Sequence, residues 1–180
     1  MKLSVLAGLA SAILVLILIL RVDTEKPNDS GNSILVATEI TALKTRRYND
    51  NGELLERAKA GHLIQYDSDE RMLMTGVTVT QLSREDGMWT LAAPQGVGNE
   101  TTSSLELSGG VTIANGTSVG MITDTILIKS NDRIATSQGE VVLKTQKSDT
   151  TADGLIINLN TNTATLTGNV NTEFRTERSP

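Results

Sequence analysis

Side chains able to do bond chemistry are sparse in this chain. His62 is the single histidine, and there is no cysteine. Thiol catalysis, thiolate metal sites and disulfides are therefore excluded, and His62 lacks the partners for a dyad or a histidine-rich metal site. It reads as an ordinary strand residue. Asp67, Asp69 and Glu70 gather three carboxylates. A calcium loop also needs a central glycine and a distal glutamate, and neither is present, so the stretch reads as a solvated turn. Gly96-x-Gly98 lacks the third glycine and the following helix of a phosphate-cradling loop. No catalytic constellation and no cofactor or metal site can be assembled, and the chain reads as a non-enzyme.

Bulk charge narrows the partners. A net charge of -5 argues against a nucleic acid, which needs clustered lysine and arginine. Tyr48, Tyr66, Trp89 and Phe174 are the only aromatic residues, too few for stacking platforms. What remains is apolar and periodic.

The period is two. Leu105, Leu107, Gly109, Val111 and Ile113 alternate with Glu106, Ser108, Thr112 and Ala114. Leu155, Ile157 and Leu159 form a second such run, and Ala164, Leu166, Gly168, Val170, Thr172 and Phe174 a third. Successive side chains of a strand point to opposite faces, so each run has one apolar and one polar face. Turn residues punctuate the runs at 49–52, 67–70, 84–87, 98–99, 115–116, 131–132 and 160–162. The chain is expected to be all-β, built from short strands.

There is also a repeat. Gly109-Gly110-Val111, Gly139-Glu140-Val141 and Gly168-Asn169-Val170 share Gly-x-Val, and Pro94, Asp124 and Asp153 each sit fifteen residues before the glycine. Gly76-Val77 reads as a worn first copy. Units of about 30 residues cannot bury their apolar faces singly and must stack. The expected architecture is a meandering stack of hairpins, either two curved antiparallel sheets facing each other or a slightly open roll. Gly109, Gly139 and Gly168 lie on the inward parity. They mark either points where the sheet curves or turn positions within the pattern.

Residues 3 to 20 hold no charge and are flanked by Lys2 and Arg21. As a helix they would span roughly 27 Å, near a bilayer core of about 30 Å. Small residues lie early and large ones end the stretch, the reverse of a cleavable signal, so an uncleaved anchor is expected. The organisation expected is a transmembrane anchor over 1–21, a linker over 22–33, a β-domain over 34–174 and a tail over 175–180. The amino-terminus would stay cytoplasmic and the domain would lie beyond the membrane.

In order, the anchor, Tyr48-Asn49-x-x-Gly52, Leu54-x-x-Arg57-Ala58-x-Ala60, Trp89-x-Leu91-x-Ala93, LELSGGV at 105–111, Ile122-Thr123-Asp124, IATSQGEVVL at 134–143, ADGLIINL at 152–159 and LTGNV at 166–170 resemble the lipopolysaccharide export system protein C family, LptC. The resemblance implies a twisted, open, boat-shaped β-jelly-roll of two facing antiparallel sheets in the periplasm, held at the bacterial inner membrane. It implies lipopolysaccharide as cargo, received from an ATP-driven transporter of the ABC class and passed to the periplasmic bridge protein LptA. It implies no catalytic residues.

Acyl chains need an apolar trough, worth about 0.8 kcal/mol per buried methylene. The inward runs could supply it from Leu105, Leu107, Val111, Ile113, Val141, Leu143, Leu155, Ile157, Leu159, Leu166, Val170 and Phe174, with Met72 and Met74 as adaptable surface. The same alternation fits plain core. Partners would add strands at two edges. The first edge is expected at Val36, Thr38, Ile40, Ala42 and Lys44, facing the transporter. The second is expected at Thr163, Thr165, Thr167, Asn169 and Asn171, facing the bridge protein. An envelope scaffold with a closed core and no lipid is the other reading of these features.

Overall fold

A computed structural model describes residues 36–66, 71–83, 87–116, 119–158, 160–161 and 163–175. The expected anchor and linker, Asp67, Asp69, Glu70, Leu159 and the tail from 176 lie outside the described residues. Among the described residues no helix is long and apolar enough to cross a membrane.

Ten strands follow one another: β1 (Val36–Tyr48), β2 (Leu54–Tyr66), β3 (Arg71–Ser83), β4 (Gly87–Asn99), β5 (Ser104–Asn115), β6 (Val119–Lys129), β7 (Ile134–Thr145), β8 (Ser148–Asn158), β9 (Thr163–Thr167) and β10 (Asn171–Phe174). Most turn clusters read from the sequence fall between two of them, but Gly98 and Asn99 end β4 and the turn follows at 100–103, while Gly87 and Asn115 are strand residues. The Asn49–Gly52 turn is closed by its own residues: Asn49 Oδ1 accepts from the backbone N–H of Asn51 and Glu53. Asn99 Oδ1 and Asn158 Oδ1 accept turn amides in the same way. Such side chains offer the backbone a local partner where the ladder ends.

The strands form one sheet, as in an open roll and not as two separate facing sheets. The order is β1-β2-β3-β4-β5-β6-β7-β8-β10, with β9 also pairing β8, and every pairing is antiparallel. The reason is strand length. Short strands would have split into two layers, but β1 to β8 are each 11 to 13 residues long and run on through the middle of the sheet.

At mid-sheet the strands bend. On β4 the buried set is Trp89, Leu91 and Ala93, then Gly96 and Gly98. On β6 it is Met121 and Thr123, then Ile126 and Ile128; on β8, Thr150, Ala152 and Gly154, then Leu155 and Ile157. The inward parity switches at mid-strand. Ladder irregularities sit at the same level, at Ala92/Gln95, Ser108/Val111, Thr123/Leu127 and Gln138/Val141. Bulges bend and re-aim a strand, and here they line up across the sheet.

This line explains the repeat. Fifteen residues is the distance along a hairpin between two positions facing each other across the bend. A Cβ on Gly76 would meet the Gly61 backbone, one on Gly109 would meet Pro94, and one on Gly168 would meet Asp153. Gly76, Gly109, Gly139 and Gly168 all have positive φ, a backbone that side chains disfavour. The curving role of these glycines holds, but their inward placement is corrected. Gly109 and Gly139, within the ladder irregularities, and Gly168, in the break between β9 and β10, are all exposed.

The bend also makes the core. No helix lies among the described residues, yet Val79, Leu105, Leu107, Val111 and Val141 have no exposure at all. A flat sheet cannot shield one face by itself, so the inner face must be covered by the sheet folding over along the line of bulges. Burying each such aliphatic side chain contributes about 1.5–3 kcal/mol.

Candidate functional site

The interior holds most of the expected trough. Met74, Leu105, Leu107, Val111, Ile113, Val141, Leu155 and Ile157 belong to one buried apolar cluster, with Leu143 and Leu166 half-buried against it. Met72 is buried as well. Glycines make room on the facing strand: a Cβ on Gly96 would lie 3.2 Å from Leu107 and 3.5 Å from Met74, and one on Gly98 would lie 3.5 Å from Met72.

Two trough residues are corrected. Val170 is 52 % exposed and Phe174 78 % exposed. Val170 lies in the break between β9 and β10 rather than in a strand. Phe174 keeps the inward parity, two residues from Thr172, whose hydroxyl meets buried Thr150 at 3.0 Å. It is exposed because β10 is short and lies at the end of the strand order, flanked among the described residues by β8 on one side alone. Leu159 lies outside the described residues.

The two expected edges are the ends of the strand order. Val36, Thr38, Ile40, Ala42 and Lys44 lie on β1, which among the described residues pairs only β2. Thr38 and Ile40 are half-buried, while Lys44 is exposed on the outer face. The face changes at Ala42, whose φ is +56 and which lies between the pairs Thr41–His62 and Leu43–Ala60. At the other end Thr163, Thr165 and Thr167 lie on β9, Asn169 in the break, and Asn171 on β10. Asn169 Nδ2 donates to Asp153 Oδ2 at 2.7 Å, and the Arg175 guanidinium to Asp149 at 2.6 Å. An edge strand carries a row of backbone N–H and C=O groups facing away from its neighbour, the requirement for strand addition.

A polar row at one end of the interior escaped the sequence reading. Arg47 pairs with Glu56, Glu56 with Gln81, and Gln81 with Trp89. The Arg47 guanidinium donates to Glu56 at 2.9 Å. Glu56 is only 2 % exposed. Burial pushes its carboxyl pKa above the usual range, partly offset by the hydrogen bond and charge of Arg47. Gln81 Oε1 and Trp89 Nε1 are buried without a hydrogen-bond partner. A signal for Glu56 existed: it shares parity with Ala58 and Ala60, both buried. Its partners carried none, because pairing across strands is not written in one strand.

Among the described residues, one antiparallel sheet folded over an apolar interior, with β1 and β10 at the ends of the strand order, defines a β-roll. Among the described residues no group of three or more histidine, cysteine or acidic side chains is placed to hold a metal. The chain belongs to the LptC-related lipopolysaccharide-assembly family, whose model matches residues 5–175. Membership gives it a role in lipopolysaccharide export, in agreement with the resemblance carried by the sequence motifs. No curated protein sequence matches it.

Proposed function

We propose that this chain is a non-enzymatic, inner-membrane-anchored relay. It takes lipopolysaccharide from an ABC transporter at the β1 edge and passes it to the bridge protein LptA at the β9–β10 edge. The acyl chains travel in the folded sheet's interior. The observation that supports this most directly is the continuity of the apolar cluster, which runs from Ala58 and Leu63 on β2 to Leu155 and Ile157 on β8. The apolar stretch 3–20 supports the anchor, and family membership supports the cargo.

Among the described residues the apolar side chains of the interior are packed out of solvent. Lipid must therefore part the two halves of the sheet, and each acyl methylene that replaces a lost contact recovers about 0.8 kcal/mol. The β10 end, with exposed Val170 and Phe174, is the place where such opening exposes least new apolar surface. The complete burial of Leu105 and Leu107 favours a second reading, an envelope scaffold with a permanent core.

A photo-crosslinking residue placed at Leu107 in cells separates the two. The relay requires an ATP-dependent lipopolysaccharide adduct at Leu107 and none at outward-facing Glu106. A folded protein that captures neighbours at its edges, yet no lipid at Leu107, supports the scaffold instead.

A further inference from the structure

The outer face of β1 and β2 carries a square of positive charge. Lys44 stands directly opposite Lys59, and Arg46 directly opposite Arg57. All four are exposed, and on β3 the rows continue into Thr78 and Thr80, which are neutral. Paired positions lie about 5 Å apart and successive rows about 7 Å apart. Among the described residues no carboxylate pairs with any of the four. In a chain with net charge -5, four of 16 lysines and arginines are gathered on one patch of two adjacent strands.

Like charges directly opposite each other destabilise a sheet. The same strand pair shows the opposite choice nearby. Arg47 faces Glu56 on the inner side, and His62 Nε2 lies 2.7 Å from Glu39 Oε1 further along the outer side. Among the described residues, the complement missing from Lys44 and Arg46 is therefore missing beside the outer edge of the sheet. A strand added to β1 would place its outward side chains in register with these two cations.

We infer that the β1 edge selects an extended partner segment bearing carboxylates two residues apart, seated on the outer face against Lys44 and Arg46. This rests on the reading of β1 as a strand-addition edge and deepens it: backbone bonds supply the pairing, and the cation square supplies register and partner choice. Arg57 and Lys59, one strand further in, extend the attraction without touching the added strand.

The test uses the full chain in neutral detergent and three ten-residue peptides that alternate valine with aspartate, serine or lysine. Binding is read by fluorescence anisotropy, and position by a photo-crosslinker in place of Thr41. The aspartate peptide should crosslink at that position and bind about tenfold tighter than the serine peptide, two cross-strand ion pairs being worth that ratio. Raising the salt should erase the difference. The double variant Lys44→Glu, Arg46→Glu should prefer the lysine peptide. That variant faces Lys59 and Arg57 with opposite charge, so its fold is retained or tightened, as an unchanged or higher urea midpoint would show. Equal binding of aspartate and serine peptides at β1 overturns the inference while strand addition stands. No crosslink from any peptide overturns both. Binding of vesicles containing anionic phospholipid, lost in the double variant while no peptide binds, overturns both and assigns the square to a membrane surface.

Discussion

The line of bulges makes a quantitative demand on its glycines. Gly110 and Gly168 both have positive φ, +94 and +69, so alanine at either must adopt a backbone that costs a side chain roughly 1–2 kcal/mol. Their surroundings differ. A Cβ at Gly110 would meet nothing within 4 Å. One at Gly168 would lie 2.5 Å from Asp153 Oδ2 and 2.6 Å from Asp153 Cβ, closer than any real contact. Relieving that overlap means moving Asp153 on β8, at a cost of about 1–3 kcal/mol more. Gly110→Ala is thus expected to lose about 1–2 kcal/mol and Gly168→Ala about 2–5 kcal/mol. Urea unfolding of the detergent-solubilised chain measures both, with unchanged slopes as the control for two-state behaviour. Adding Asp153→Ala should recover most of the extra loss in Gly168→Ala and none in Gly110→Ala. Equal losses at the two glycines, or a loss at Gly168 below about 1 kcal/mol, would refute the bend as the reason for the repeat.

Three further outcomes follow from the same structure. Ala42 is exposed with φ +56, so Ala42→Gly should raise stability by about 0.5–1 kcal/mol, strain relief outweighing the entropy of glycine; a lower urea midpoint would count against the strain. Leu107 is fully buried, so Leu107→Ala should cost about 2–5 kcal/mol, and a loss under about 1 kcal/mol would mean that the interior is not packed as described. Glu56 has its carboxyl pKa raised above 4.5 by burial, so it binds its proton more tightly folded than unfolded. Its contribution is therefore fully present below the unfolded pKa and is lost as pH rises through the folded one. Glu56→Gln should flatten the fall in urea midpoint above pH 4.5, and an unaltered pH profile would remove Glu56 from that role.

Some of this protein is local and could be read from one strand at a time. Alternation identifies an all-β chain and puts Leu105, Leu107, Val111, Ile113, Leu155 and Ile157 inside, because side-chain direction in a strand depends only on parity. Asparagine and glycine mark the turns, because their conformational preferences act over two or three residues. The spacing of Gly109, Gly139 and Gly168 even marks where the sheet bends. It does not say which side of the bend they occupy, and all three are exposed.

The rest depends on neighbours that are distant in sequence. Whether eight long strands make one sheet or two is decided by which edges pair. Phe174 obeys the inward parity and is still exposed, because shielding comes from what lies opposite a side chain and beside its strand. Glu56 meets Arg47, and Lys44 faces Lys59, only through the register of β1 against β2. The alternation of polar and apolar residues specifies a face, whereas pairing, shielding and electrostatic complement are properties of two strands at once. Those properties came into being with the folded sheet.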